Sequence, residues 1–138
     1  MSRLHRTFQA LRARGERAFI PFVTCGDPDL STSRALLEAY IEAGADIVEI
    51  GIPFTDPLAD GPTIQRASER ALAEGTTMDG AFSLISAIRS THPDVPLVPM
   101  TYVNPVFQMG YDAFARRCHE AGVVAVLISD LPPEAGRE

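Results

Sequence analysis

The sequence predicts an α/β fold, a parallel sheet covered by helices, and three observations carry the prediction. Short apolar runs rich in β-branched residues alternate with amphipathic stretches along all 138 residues. The apolar runs read as continuous hydrophobic segments, the pattern of strands buried on both faces. EAGAD (42–46) and EAGVV (120–124) punctuate the same helix-to-strand junction twice.

Each element follows in order. In MSRLHRTFQALRARGERAF, residues Leu4, Phe8 and Leu11 fall at the spacing of a short packing helix, and no apolar stretch of a secretory signal is present. AFIPFVTCG (18–26) is the first strand, ended by Gly26 and the GDPD turn. STSRALLEAYIEAG (31–44) begins with capping residues, gathers Leu36, Leu37, Tyr40 and Ile41 on one face, and stops at Gly44. ADIVEIGI (45–52) is the second strand. TIQRASERALAEG (63–75) is a helix stopped by Gly75. TTMDGAFSLISAIRS (76–90) offers a T-x-x-D cap and the helical period of Met78, Ala81, Phe82, Ile85 and Ile88. PLVPMTY (96–102) is the third strand, its prolines expected at an end or a bulge. YDAFARRCHEAG (111–122) repeats the helical spacing with Tyr111, Phe114, Ala115 and Cys118, and VVAVLISD (123–130) is the fourth strand.

Composition narrows the function. With 46% hydrophobic and 22% charged residues the chain has enough apolar matter for one domain, 1–138, with its own core. Twelve basic residues against 18 acidic ones give a net charge of -6, with no basic cluster to neutralise phosphates, so no nucleic acid partner is expected. The longest apolar runs are far too short to span a bilayer, so no membrane is expected either. Cys25 and Cys118 match no zinc spacing and read as free thiols of a reducing cytoplasm. His5, His92 and His119 form no ligand cluster, so no metal is expected.

Four βα units fit a small open doubly wound sheet, or part of an eight-fold barrel, which typically needs about 250 residues. TCGDPD, Glu49 with TDPLADGP, Tyr102 with Asn104, and SDLPP all fall at C-terminal strand ends. Both architectures place their sites there, so the clustering points to a site without choosing the fold.

Glu49 stands among strand-forming apolar residues, where an ionised carboxylate is costly unless it finds a partner or takes a raised pKa. Pro53, Pro57 and Pro62 stiffen the following loop, which can return Asp60 to the neighbourhood of Glu49. Two such acids divide their labour when one keeps a proton and the other stays ionised. Asp56 lies mid-loop and suits a partner contact equally well; loop aspartates beside Pro or Gly are also common turn formers. Cys25 has no histidine near it in sequence to activate it as a nucleophile.

PFVTCGDPD (21–29), VEIGIPFTDPLADGPTIQRA (48–67), MTYVNPVFQMG (100–110) and LISDLPPEA (127–135) together resemble the tryptophan synthase α subunit family, in order and across essentially the whole chain. The resemblance implies a TIM (β/α)8-barrel fold, of which these residues form about the first four βα units. It implies retro-aldol cleavage of indole-3-glycerol phosphate to indole and glyceraldehyde 3-phosphate, a step of tryptophan biosynthesis. By motif, Glu49 looks like the general acid/base and Asp60 like the acceptor of the indole N–H; Phe22, Met100, Tyr102 and Leu127 match substrate-binding positions. Pro53, Asp56, Pro57, Leu58, Asn104, Phe107 and Pro132 match the surface that docks the β subunit of an α2β2 assembly. No cofactor is implied in this chain; pyridoxal phosphate would belong to the β subunit.

The family's barrel is about twice this length, so residues 1–138 are expected to form a single partial barrel with unpaired edges at its first and fourth strands. Two expectations follow: a lyase active in its full-length form, or a non-catalytic half-barrel that binds a β subunit or dimerises.

Overall fold

The computed structural model describes residues 1–137. A helix α1 (Arg3–Arg14) precedes β1 (Phe22–Thr24), α2 (Leu30–Glu42), β2 (Val48–Gly51), α3 (Pro62–Ala73), α4 (Met78–Thr91), β3 (Leu97–Thr101), α5 (Val103–Met109), α6 (Tyr111–Glu120) and β4 (Leu127–Ile128), and a 3-10 turn at Ala135–Arg137 follows. The strands form one parallel sheet in the order β1-β2-β3-β4.

Register divides the strand residues between two faces. Phe22 stands beside Glu49 and Glu49 beside Val98; one layer further on, Thr24, Gly51, Met100 and Leu127 are neighbours. Paired residues of a parallel sheet share a face and alternate residues change face. Val23, Cys25, Val48, Ile50, Ile52 and Leu97 therefore point the other way, and these join Leu37, Phe82, Ile85, Ile88 and Phe114 in the core. Helices α2, α4 and α6 pack on that face through these residues. Phe22, Glu49 and Met100 are only half-buried and Leu127 is 47% exposed, so the opposite, concave face stands open.

Local chemistry explains the helix ends. Asp29 caps α2 by accepting from the Thr32 N–H at 2.7 Å, and Thr77 caps α4 by accepting from the Gly80 N–H at 3.1 Å. The T-x-x-D box expected at Thr76 is thus displaced by one residue, and Asp79 pairs with Arg117 at 2.8 Å instead of closing the box. Gly26 has φ +89, and a Cβ there would collide with Thr76, so only glycine fits this turn.

Four expectations are corrected. The first strand is Phe22–Thr24 and the fourth only Leu127–Ile128, both much shorter than their apolar runs. Pro99 lies in mid-strand, not at an end or a bulge. Val48 and Ile52 donate to Pro96 and Met100, so even-numbered β3 residues face β2, while Thr101 accepts from Ser129. Pro99 accordingly faces the β4 side with no N–H to give, which ends the ladder there. A helix, α5, fills the stretch between the third strand and the 111–122 helix, to which the sequence pattern assigns no element; it begins at Tyr102 and is ended by Gly110. Phe8 is 46% exposed and Tyr111 62% exposed, so only Leu11 of α1 is buried, and α6 packs through Phe114 and Cys118.

One side chain ties the base of the sheet together. Arg89 donates from Nη1 to the carbonyls of His92, Pro93 and Val95, and from Nη2 to that of Gly122, at 2.8–3.1 Å. The end of α4, the approach to β3 and the turn after α6 are held by one guanidinium.

Candidate active site

The C-terminal ends of parallel strands converge on one edge of the sheet, and the loops leaving them build the site. Phe22, Glu49, Met100 and Leu127 all lie on the concave face, brought there by the register just described. Glu49 comes from the middle of β2 because its neighbours Val48 and Ile50 are both fully buried on the helix side, which turns position 49 the other way.

Among the described residues no basic side chain pairs with the Glu49 carboxylate. Desolvation by the surrounding apolar side chains raises its pKa above the ordinary 4.5. Of the two readings open from sequence, the hidden ionic partner is not found among the described residues, and the raised pKa agrees with an uncomfortable acid.

Phe22 is fitted to its neighbour with little clearance. A Cβ at position 51 would come within 2.8 Å of the Phe22 Cε2 and still closer to Cζ, so the ring lies across Gly51 as a lid on the bare backbone. Glycine at 51 is what lets an aromatic ring lie flat beside Glu49.

The loop after β2 carries the second acid. Asp60 is half-buried, its N–H donating to the Pro57 carbonyl at 3.0 Å and its carbonyl accepting from Gln65 Nε2 at 3.0 Å. Tyr102, 3% exposed, reaches this loop from the end of β3: its hydroxyl accepts the Ala59 N–H at 3.0 Å, and its ring stacks on Phe54 at 5.4 Å between centroids, tilted by 34°. Burial raises the phenol's pKa, with the nearby Asp60 carboxylate adding to the rise and the Ala59 N–H opposing it. Tyr102 and Asp60 are therefore neighbours, although 42 positions apart in sequence.

The remaining positions singled out from sequence lie along the rim. Leu58 is 90% exposed and Phe107 63% exposed, while Asp56, Asn104 and Pro132 are exposed and Pro57 half-buried. Asp56 accepts from Thr55 Oγ1 at 2.6 Å. Pro53 is the exception: it is buried and supports the loop from below, so it presents no surface to a partner. A groove of about 460 Å³ opens between residues 54–58 and Gln65, Glu69 and Leu72 of α3.

Two contributors were missed in the sequence. Asp130 accepts the Val103 N–H at 2.7 Å, tying the turn after β4 to the first turn of α5. Ala59 contributes only its backbone N–H, which no side-chain pattern announces.

Comparison with known proteins gives this geometry a family. Residues 8–138 match the model of the tryptophan synthase alpha chain family. The tryptophan synthase alpha chain of Laribacter hongkongensis is 50% identical over 138 residues, 100% of this chain and 52% of the relative; that of an Azoarcus species is 51% identical over 134 residues, 97% of this chain and 49% of the relative. The crystal structure of tryptophan synthase subunit alpha from Legionella pneumophila superposes with a TM-score of 0.96 at 40% identity, over 99% of this chain and 52% of that one. Tryptophan synthase from M. tuberculosis in its aminoacrylate-bound form gives 0.93 at 39% identity, over 99% of this chain and 55% of that one. The chain thus spans about half the length of the curated relatives it matches, and its four strands take the place of four in their eight-stranded barrels. From its first strand to the turn after its fourth, the chain belongs to the tryptophan synthase alpha chain family.

Proposed function

We propose that these residues carry the acid–base centre of a tryptophan synthase alpha-type lyase, which cleaves indole-3-glycerol phosphate to indole and glyceraldehyde 3-phosphate by a retro-aldol reaction. The observation that supports this most is Glu49: a carboxylic acid with a raised pKa and no basic partner among the described residues, beside Phe22 and Val98 with Met100 one layer further along the open face. A raised pKa lets this acid keep its proton to higher pH than a free glutamic acid does, which suits it to giving that proton to carbon. In the proposed step Glu49 protonates the indole ring at the carbon bearing the side chain. The C–C bond then breaks, its electron pair restores the aromatic ring, and the side-chain hydroxyl surrenders its proton to Glu49 as it becomes the aldehyde. Asp60 accepts the indole N–H and offsets the positive charge that the ring carries between the two events. Phe22, Met100, Tyr102 and Leu127 are assigned to the walls around the flat ring.

All twelve residues of the Lys+Arg count are arginines, so these 138 residues contain no lysine amine for a Schiff base. Proton transfer by carboxylates is a chemistry these residues can supply for a C–C cleavage. Leu58, Phe107, Asp56, Asn104 and Pro132 are assigned to docking a tryptophan synthase beta subunit in the cytoplasm, pyridoxal phosphate being the cofactor of that partner.

The test measures indole release by the 138-residue chain, alone and with the remaining barrel units of a relative supplied in trans. Glu49→Gln should abolish turnover in whichever form is active; turnover kept within about twofold would remove Glu49 from the mechanism. A second reading, a non-catalytic half-barrel that docks or dimerises, draws support from the open edges: Phe19, Ile20 and Leu127 are 51%, 44% and 47% exposed. Binding of a beta subunit with no indole release in any form would select it.

A further inference from the structure

We infer that Tyr102 is a positioning residue for Asp60, acting through its hydroxyl on the Ala59 N–H rather than only as a wall of the substrate site. The inference rests on the function proposed for Asp60 and concerns how that carboxylate is held.

The last tie of β2 to the sheet is the Ile52 N–H on the Met100 carbonyl at 2.8 Å; beyond it the β2–α3 loop, Pro53 to Gly61, has few ties but local ones of its own. Leu58 donates to Asp56 at 2.8 Å, Asp60 donates to Pro57 at 3.0 Å, and Gln65 returns from α3 to the Asp60 carbonyl. Each of these joins residues within the loop or at its exit, so none fixes the loop against the sheet. The hydrogen bond from Ala59 to Tyr102, spanning 43 positions, does. Its acceptor is well anchored. Tyr102 is 3% exposed, its ring is clamped by Phe54, and its backbone caps α5, whose first N–H is held in turn by Asp130. The bond meets the loop one residue before Asp60, so the placement of the carboxylate is set from β3 and not from the loop. Having accepted from Ala59, the hydroxyl has its own proton left to offer, and the Asp60 carboxylate is the neighbouring acid. A phenylalanine at 102 would preserve ring, stacking and burial while deleting only this connection, and small displacements of a catalytic group are expensive.

The test uses Tyr102→Phe in two settings. In the 138-residue chain, the Ala59 amide should exchange with solvent well slower than those of Thr55 and Asp56 in the wild type. It should exchange about five- to tenfold faster in Tyr102→Phe, with the urea midpoint and Ile50 exchange unchanged. An Ala59 amide as fast as its loop neighbours in the unmutated chain would overturn the inference by itself, whether or not the variant folds. In the complemented form that turns over, Tyr102→Phe should lower kcat about tenfold with KM little changed. The same substitution should cost nothing further once Asp60 is Asn, because the two act as one unit. Equal losses in both backgrounds would refute action through Asp60 and return Tyr102 to a simple wall. Full activity of Asp60→Asn alone, with Ala59 still protected by Tyr102, would instead sink the catalytic reading of Asp60 and leave the tether standing.

Discussion

Replacing Gly51 by alanine tests the packing of the site with one methyl group. The new Cβ would stand 2.8 Å from the Phe22 Cε2 and nearer still to Cζ, where carbon atoms prefer about 3.5–4 Å. Something must move by about 1 Å, and β2, buried between β1 and β3, cannot. The ring can, because Phe22 is half-buried on the uncovered face. Overpacking in a closed core costs about 1–3 kcal/mol; with an exit available, about 1 kcal/mol is expected. With a denaturant slope of about 1–3 kcal/mol/M, the urea midpoint should fall by roughly 0.3–1 M without a change of slope. The control is the same substitution with Phe22 already alanine. There the clash is gone, and a strand glycine becoming alanine should be neutral or gain about 0.5 kcal/mol from reduced backbone freedom. The ring should also swing toward the concave face and reduce turnover in an active form. Equal destabilisation in both backgrounds would show that the ring does not lie over Gly51, and the proposed seat for a flat substrate beside Glu49 would go with it.

Glu49→Gln also predicts a pH dependence. Burial raises the acid's pKa in the folded chain, so the folded state binds the proton more tightly and the carboxylate costs stability once it ionises. The variant should match the wild type below the unfolded value near 4.5, then become the more stable as pH rises through the raised value; thermal melts at pH 4 and pH 8 read the difference. Arg89→Met removes four hydrogen bonds to carbonyls of three segments and should cost about 2 kcal/mol, seen as a lower urea midpoint. Leu58→Ser with Phe107→Ser takes two exposed apolar side chains off the rim and should weaken capture of a beta subunit at least tenfold while leaving the melt within about 1 °C.

Much of this architecture is legible in the amino-acid sequence. The helical periods of α2 and α4 named Leu37, Phe82, Ile85 and Ile88, because one buried stripe recurs at 3.6 residues whatever the helix packs on. Glu49 was legible as a misfit among strand formers. Strand length was not: β4 keeps only two residues because of what Pro99 on the neighbouring strand fails to donate, a relation between segments nearly thirty positions apart. Helix α5 was hidden by its seven residues and by Pro105 in its first turn, a position where proline is tolerated but breaks the visual pattern. The Asp60 tether was out of reach for a different reason. Its donor is a main-chain N–H, and every residue but proline has one.

The strand order, β1-β2-β3-β4, is also the order of synthesis. Each of β2, β3 and β4 therefore meets a partner that already exists, through a crossover of a few dozen residues. Closing short loops first keeps the entropic toll of each pairing small. A nascent chain built this way can harden from its amino end on the ribosome, one βα unit at a time, with Glu49 set in place before Tyr102 has left the tunnel.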